Sequence, residues 1–239
     1  MELIWEGIRR AFILLFSGNR EVYEILLLTI KVSGIAVVIS MVIGIPAGLA
    51  VGLNNFKGKR LLVTIVNTGM GLPPVAAGLF VSVFLWRSGP LGFLSIMYTP
   101  TAMITAQVLI AFPIITGVTL AAVQQINPGL KLQALSLGAG RFKVLWLLSR
   151  EAKLPVLAAI MAGFGGVISE VGAVMMVGGN IKGQTRVLTT ATVQFVRMGE
   201  LSLAIALVII LLILAFAVNL VLTLIQQKEN QTWARRYWR

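Results

Sequence analysis

The sequence predicts an all-α polytopic membrane protein, with about five transmembrane helices and an N-terminal interfacial helix. Three observations predict it. Of the 239 residues, 58% are hydrophobic and only 12% are charged, and the mean hydropathy is +0.94. Apolar runs of about twenty residues recur, the length a helix needs to cross the hydrocarbon core. The charges gather in the short stretches between those runs. Lipid offers no partner to an exposed backbone group, so the spans are expected to be helical.

The N-terminal stretch, residues 1–21, places Ile4, Ile8, Phe12 and Leu15 at helical spacing opposite Glu6, Arg9 and Arg10. That pattern suits a helix lying in the membrane interface. A partial sixth span is the alternative, interrupted by the Arg pair. With Glu2 and Glu6 ahead of that pair and no small-residue cleavage site, the stretch makes a poor signal peptide. The first span covers about 23–53, carrying Lys31 in its outer third and a kink at Pro46. A basic turn, Asn54 to Arg60, ends it. The second, about 61–85, contains Gly69, Gly71, Pro73 and Pro74, and Arg87, Gly89 and Pro90 close it. The third, about 100–124, is kinked at Pro113. The fourth, about 156–177, dissolves into Gly178-Gly179-Asn180, and the fifth, about 201–225, precedes a basic tail over 227–239.

Orientation follows from the cations. Lys57, Lys59, Arg60, Lys131, Arg141, Lys143, Arg150, Lys153, Lys228, Arg235, Arg236 and Arg239 fall on one side of the membrane. Arg9, Arg10, Arg20, Arg87, Lys182, Arg186 and Arg197 fall on the other, with Lys31 inside a span. The richer side is the cytoplasmic one. The N-terminus is therefore expected outside, and the C-terminus and the 127–155 loop inside.

Composition also excludes whole classes of chemistry. The net charge of +12 does not signal nucleic-acid binding, because the cations sit where they set membrane orientation. Cys, His and Asp are all absent. A Ser-His-Asp triad is thus impossible, most metal sites lose their usual ligands, and no cofactor or catalytic residue is expected. No G-x-x-x-x-G-K-[ST] loop occurs, so a partner must handle any ATP.

Two stretches carry the functional signal. In the first, 127–155, Asn127 can cap a helix with Pro128 at its first position. That helix should run through Leu137 and stop at Gly138, and a second should start near Arg141 and run toward Pro155. An ordinary positive-inside connection is the plain alternative to a folded loop that touches another protein. In the second stretch, Glu170 lies in an apolar run, where an unpaired carboxylate costs roughly 2.5 kcal/mol or more. It therefore faces the bundle interior, bonded to backbone or to a cation. Beyond it, Gly178, Gly179 and Gly183 free the backbone, while Lys182, Thr185, Arg186, Thr189, Thr190 and Thr192 supply donors suited to a dehydrated oxyanion. Helix-capping threonines in an exterior loop would look the same.

The loop resembles the signature of type I permease subunits of ABC importers, E-A-A-x-x-x-G followed about a dozen residues later by L-P. Ala134, Leu137, Gly138 and Ala139 match its core, whereas Leu132 stands where the family has Glu and Leu154-Pro155 comes about one turn late. The resemblance covers about residues 22–226 and implies the type I importer fold. It also implies a coupling role, against an ATPase, for Ala134, Leu137, Gly138, Ala139 and Arg141. The pattern from Ser169 to Ala191, with Gly71-Leu72-Pro73-Pro74, looks like the tungstate-uptake branch of the molybdate, tungstate and sulfate permeases. From that resemblance follow a homodimer, a translocation path or gate near Glu170, Gly178, Gly179, Asn180, Thr185, Arg186, Thr189 and Thr190, cytoplasmic ATPase subunits and an extracytoplasmic oxyanion-binding protein. An importer of molybdate, sulfate or phosphate, a stand-alone secondary transporter, and a membrane scaffold are the alternatives.

Overall fold

The computed structural model describes residues 2–237, except the side chains of Pro128, Arg141 and residues 229–237. Among the described residues there is no strand. The helices are α1 (Glu2–Phe16), α2 (Arg20–Leu53), α3 (Lys59–Met70), α4 (Pro74–Leu85), α5 (Pro100–Gln124), α6 (Pro128–Ser136), α7 (Arg141–Glu151), α8 (Lys153–Ile168), α9 (Gly172–Gly178), α10 (Leu188–Arg197) and α11 (Leu201–Tyr237). Arg141 opens α7, but its side chain lies outside the described set, as do the tail cations Arg235, Arg236 and Arg239.

Three helices are long and apolar enough to cross a membrane: α2, α5, and α11 over Leu201–Lys228. Two bent pairs raise the number to five, α3 with α4 and α7 with α8. The 61–85 run, expected as one span, turns through 102° between α3 and α4. Leu72 and Pro73 each precede a proline, which pushes both out of the helical region, and Pro73 is extended at ψ 127°. The α6–α7 hairpin in the 127–155 loop also differs from expectation. Its second helix stops at Glu151, so Pro155 belongs to the first turn of α8, where a missing N–H leaves no bond unmade. The 156–177 run is interrupted at Ser169–Val171, between α8 and α9.

The centre of the bundle is the contact of α2 with α5. Gly44, Gly48 and Gly52 recur every fourth residue on α2 and let the backbones approach. A Cβ at Gly48 would lie 2.7 Å from the Thr116 carbonyl oxygen, and one at Gly44 would lie 2.9 Å from Thr116 Oγ1. Gly163 of α8 meets Ile115 from the other side in the same way, at 2.7 Å. Around these contacts lies the largest apolar cluster, including Val32, Met103, Ile115, Phe164 and Val174.

Two smaller clusters mark the ends. At one end, Ala11 of α1, Val22 and Ile25 of α2, Leu188 of α10 and Leu207 of α11 pack together. At the other, Ala134, Val144 and Leu148 of the α6–α7 hairpin pack with Leu53 and Ile126. The connections sort accordingly. The turn after α2 and the hairpin share one end, with Gln226 donating to the Leu154 carbonyl. The start of α2 and the 178–187 turn share the other, joined by the Glu21–Lys182 ion pair. Helix α1 turns the small residues Gly7 and Ala11 toward the protein and leaves Ile4, Trp5, Phe12 and Phe16 exposed.

Lys59 anchors the turn after α2. Its Nζ donates to the carbonyls of Gly52 (3.2 Å) and Asn54 (2.8 Å), placing a cation on the C-terminal carbonyls of α2.

Gly48→Val should cost about 1–3 kcal/mol by overpacking, seen as a lowered Tm in detergent. At Gly34, by contrast, no atom lies within 4 Å of the place a Cβ would take, so Gly34→Ala should leave the Tm unchanged or raise it.

Candidate functional site

The helix break at 169–171 frees backbone groups beside the central apolar cluster, and polar side chains satisfy them. The Val167 carbonyl, at the end of α8, accepts from Gln107 Nε2 of α5 at 3.0 Å. Across the break, Glu170 Oε1 accepts the Ala173 N–H at 2.9 Å, capping the first turn of α9. The Glu170 carbonyl accepts from Thr189 Oγ1 at 2.9 Å. Glu170 is buried, so of the two sequence-level options its carboxylate takes a backbone partner rather than a cation.

The turn after α9 is held as closely. Gly179 (φ 70°) and Gly183 (φ 75°) take left-handed conformations, as does Asn180 (φ 53°), a costlier one for a residue with a side chain. Thr185 Oγ1 donates to the Gly178 carbonyl and accepts the Ile181 N–H. Thr190 Oγ1 bonds the Val187 backbone at the start of α10, and Leu188 N–H donates to Thr29 Oγ1 of α2 at 3.0 Å. Asn180 Nδ2 donates to Gln194 Oε1 at 2.7 Å, leaving Asn180 Oδ1 buried without a partner. The hydroxyls of Thr185, Thr189 and Thr190 thus face backbone, as capping threonines do. What remains available to an anion is the cations. Lys182 and Arg186 both reach Glu21, at 2.8 and 3.3 Å. Glu21 and Gln107 lie outside the candidates read from sequence. Gln107 was visible only as one amide inside an apolar run.

The α6–α7 hairpin forms the second feature. Asn127 Oδ1 accepts the Gly129 N–H at 2.8 Å, as its capping role requires. At the far end of α6, Gly138 is left-handed (φ 77°), its N–H donates to Leu135 O, and the Ala139 N–H donates to Ala134 O, both at 3.0 Å. These paired bonds form a Schellman turn, whose left-handed position favours glycine. Ala134 is buried beneath the turn, while Leu137 is 87% and Phe142 89% exposed. Leu132 and Trp146 are exposed as well, and Arg150 stacks on Trp146 with its guanidinium 5.3 Å from the ring centre. The hairpin therefore has an apolar underside tied to α2 and α5 and an apolar outer face.

A bundle of bent and unbent apolar helices with a structured hairpin at one end defines a class, that of helical membrane permeases. The family of the binding-protein-dependent transport system inner membrane component matches residues 44–231, and the chain belongs to that family. It is a multi-pass membrane protein and the non-catalytic permease subunit of an ABC importer. The tungstate uptake system permease protein TupB of Peptoclostridium acidaminophilum is 42% identical over 95% of this chain and 100% of its own length. The protein of the same name from Campylobacter jejuni is 31% identical, over 92% of each chain. Among solved structures, a bacterial alginate ABC transporter in complex with alginate pentasaccharide-bound periplasmic protein superposes with a TM-score of 0.70. That match is 19% identical and covers 92% of this chain and 84% of the other. It supports the type I importer fold.

The Glu170 geometry predicts opposite results for two substitutions. Glu170→Gln keeps an oxygen for the Ala173 N–H and should hold near-wild-type Tm and yield. Glu170→Ala leaves that N–H buried and unbonded, costing about 1–3 kcal/mol and lowering the Tm. Size-exclusion profiles after stepwise heating would compare them.

Proposed function

We propose that the protein imports tungstate. The observation that carries this cargo is the 42% identity over 95% of the chain to a tungstate uptake permease. Two copies enclose the path, cytoplasmic ATPase subunits drive it, and an extracytoplasmic oxyanion-binding protein delivers the ion. The end of the bundle holding Lys57, Lys59, Arg60, Lys131 and Lys143 faces the cytoplasm, because cation-rich connections stay inside. The N-terminus is then outside and the C-terminus inside. Residues 1–21 lie on the outer interface, 22–226 form the permease domain and 227–239 a cytoplasmic tail.

The α6–α7 hairpin is the coupling element. An apolar outer face in the cytoplasm requires a partner, and Leu137, Phe142 and Trp146 supply one for an ATPase groove. The cluster beneath, with Leu53 and Ile126, passes a push on the hairpin to the ends of α2 and α5. Ala134, Gly138 and Ala139 keep its turn in shape, and Arg141 begins its second helix. Glu170, Gly178, Gly179, Asn180, Thr185, Arg186, Thr189 and Thr190 form the path or gate. Support comes from the short helix α9 between two breaks, with its Ala173 lying 2.6 Å from where a Cβ on Gly78 of bent α4 would sit. Two interrupted spans in contact can shift relative to each other more readily than two continuous ones.

The test is uptake into proteoliposomes containing the permease, its ATPase and its binding protein. Tungstate should accumulate only with ATP, and excess molybdate should compete. ATP-dependent accumulation of sulfate with none of tungstate would overturn the cargo. Gly138→Asp has open space around it, and Asp tolerates left-handed backbone better than most residues, so the permease should still insert. Uptake and transport-linked ATP hydrolysis should nevertheless be lost, because the new charge enters the docking face. Wild-type uptake by that variant would remove the coupling assignment.

A further inference from the structure

Beside the 178–187 turn and the start of α2 lies a cavity of about 690 Å³. Its charged lining is Arg20, Glu21, Glu24, Lys31, Lys182 and Arg186, a formal balance of two positive charges. Both carboxylates are already engaged. Glu24 Oε1 accepts from Arg20 Nε at 2.8 Å, and Glu21 is shared between Lys182 and Arg186. Lys31 makes no hydrogen bond or ion pair among the described residues. It shares one face of α2 with Glu24, Leu27 and Leu28, at the spacing that stacks side chains along a helix. Arg186 is 11% exposed, and its Nε is buried without a partner.

An unpaired ammonium within an apolar span is costly and marks a site by default. Here a second unfulfilled donor, on Arg186, borders the same cavity. Ile25, Leu27 and Leu28 contribute apolar walls to the same cavity. The excess of two positive charges matches a dianion, and donors on a guanidinium and two ammonium groups match tetrahedral oxygens.

We propose that this cavity binds a divalent tetrahedral oxyanion, with Lys31 as the receiving cation and Lys182 and Arg186 exchanging Glu21 for the anion. The ligand is a free oxyanion or the phosphate monoester headgroup of a lipid, which present the same chemistry. Glu21 is the internal competitor: it holds the two cations when the cavity is empty and must yield them when it fills. For a free oxyanion the inference deepens the tungstate reading and rests on it, placing a cargo-binding site on the permease.

Binding is measured on the permease–ATPase complex in phosphatidylcholine nanodiscs, by calorimetric titration with sodium tungstate, without ATP and without the external binding protein. Tungstate should bind saturably and outcompete chloride. Lys31→Gln should weaken binding about tenfold or more, as loss of one charge-assisted contact implies, at unchanged Tm. Glu21→Gln should tighten it. A parallel arm uses nanodiscs containing phosphatidic acid, with retained lipid counted by native mass spectrometry on wild type and Lys31→Gln. Saturable tungstate binding without retained lipid supports the free ion; Lys31-dependent lipid retention alone supports the headgroup. Saturable binding of neither, or both variants binding as wild type, overturns the site. Uptake lost with binding intact would overturn the transport reading and leave the site, while binding absent with uptake intact would do the reverse.

Discussion

The end of this bundle that holds α9 and α10 depends on how a helix can be broken within an apolar core. Interrupting a helix frees N–H and C=O groups, and in an apolar surrounding each unpaired group costs several kcal/mol. At the break between α8 and α9, Gln107 takes a freed carbonyl, Glu170 takes a freed amide, and Thr189 ties the intervening carbonyl to α10. These three side chains come from α5, the break itself and α10, so satisfying the backbone also fixes how three elements meet. The carboxylate that looks most like a transport residue has a structural reason to be there.

The rest of the bundle divides into parts of different firmness. Helices α2, α5 and α8 meet through glycines, with backbone and short side chains in near contact, and such an interface has little room to slide. The bent pair α3–α4 and the short α9 pack onto that nucleus, Gly69 against Pro113 and Gly178 against Met103, and touch each other at Gly78 and Ala173. In the coupling role proposed above, the glycine-packed helices would carry force from the hairpin, and the interrupted segments supply ends that can swing. The hairpin joins the rigid body through the cluster around Leu53 and Ile126.

Charge follows the same economy. Lys59 closes the C-terminal end of α2, Arg10 pairs with Glu6 on α1, and Glu21 gathers Lys182 and Arg186 at the N-terminal end of α2. Each settles a helix end, a surface or a turn. Lys31 differs in its place, within an apolar span and beside a cavity, with no partner among the described residues. The exposed Lys182–Glu21 pair contributes little to stability.

Much of this was legible in the linear chain. Run length and the near absence of charge decided a helical membrane protein of about five spans, because the bilayer enforces both. Asn127-Pro128 and Gly138 marked a helix start and stop that the structure reproduces, because capping and left-handed turns are local chemistry. The prolines at 73 and 74 were visible, yet the 102° turn they produce was not, since the angle depends on what each half packs against. Equally hidden was the end of α7 at Glu151, which hinges on Ala152 rather than on Pro155. Only the tertiary structure paired Glu170 with Ala173, Gln107 with Val167, and Glu21 with cations more than 150 residues away. Hydrogen bonds and ion pairs between distant segments leave no periodic trace in a sequence. Residue type and spacing determined which elements form; which polar groups satisfy one another was decided by how those elements come together.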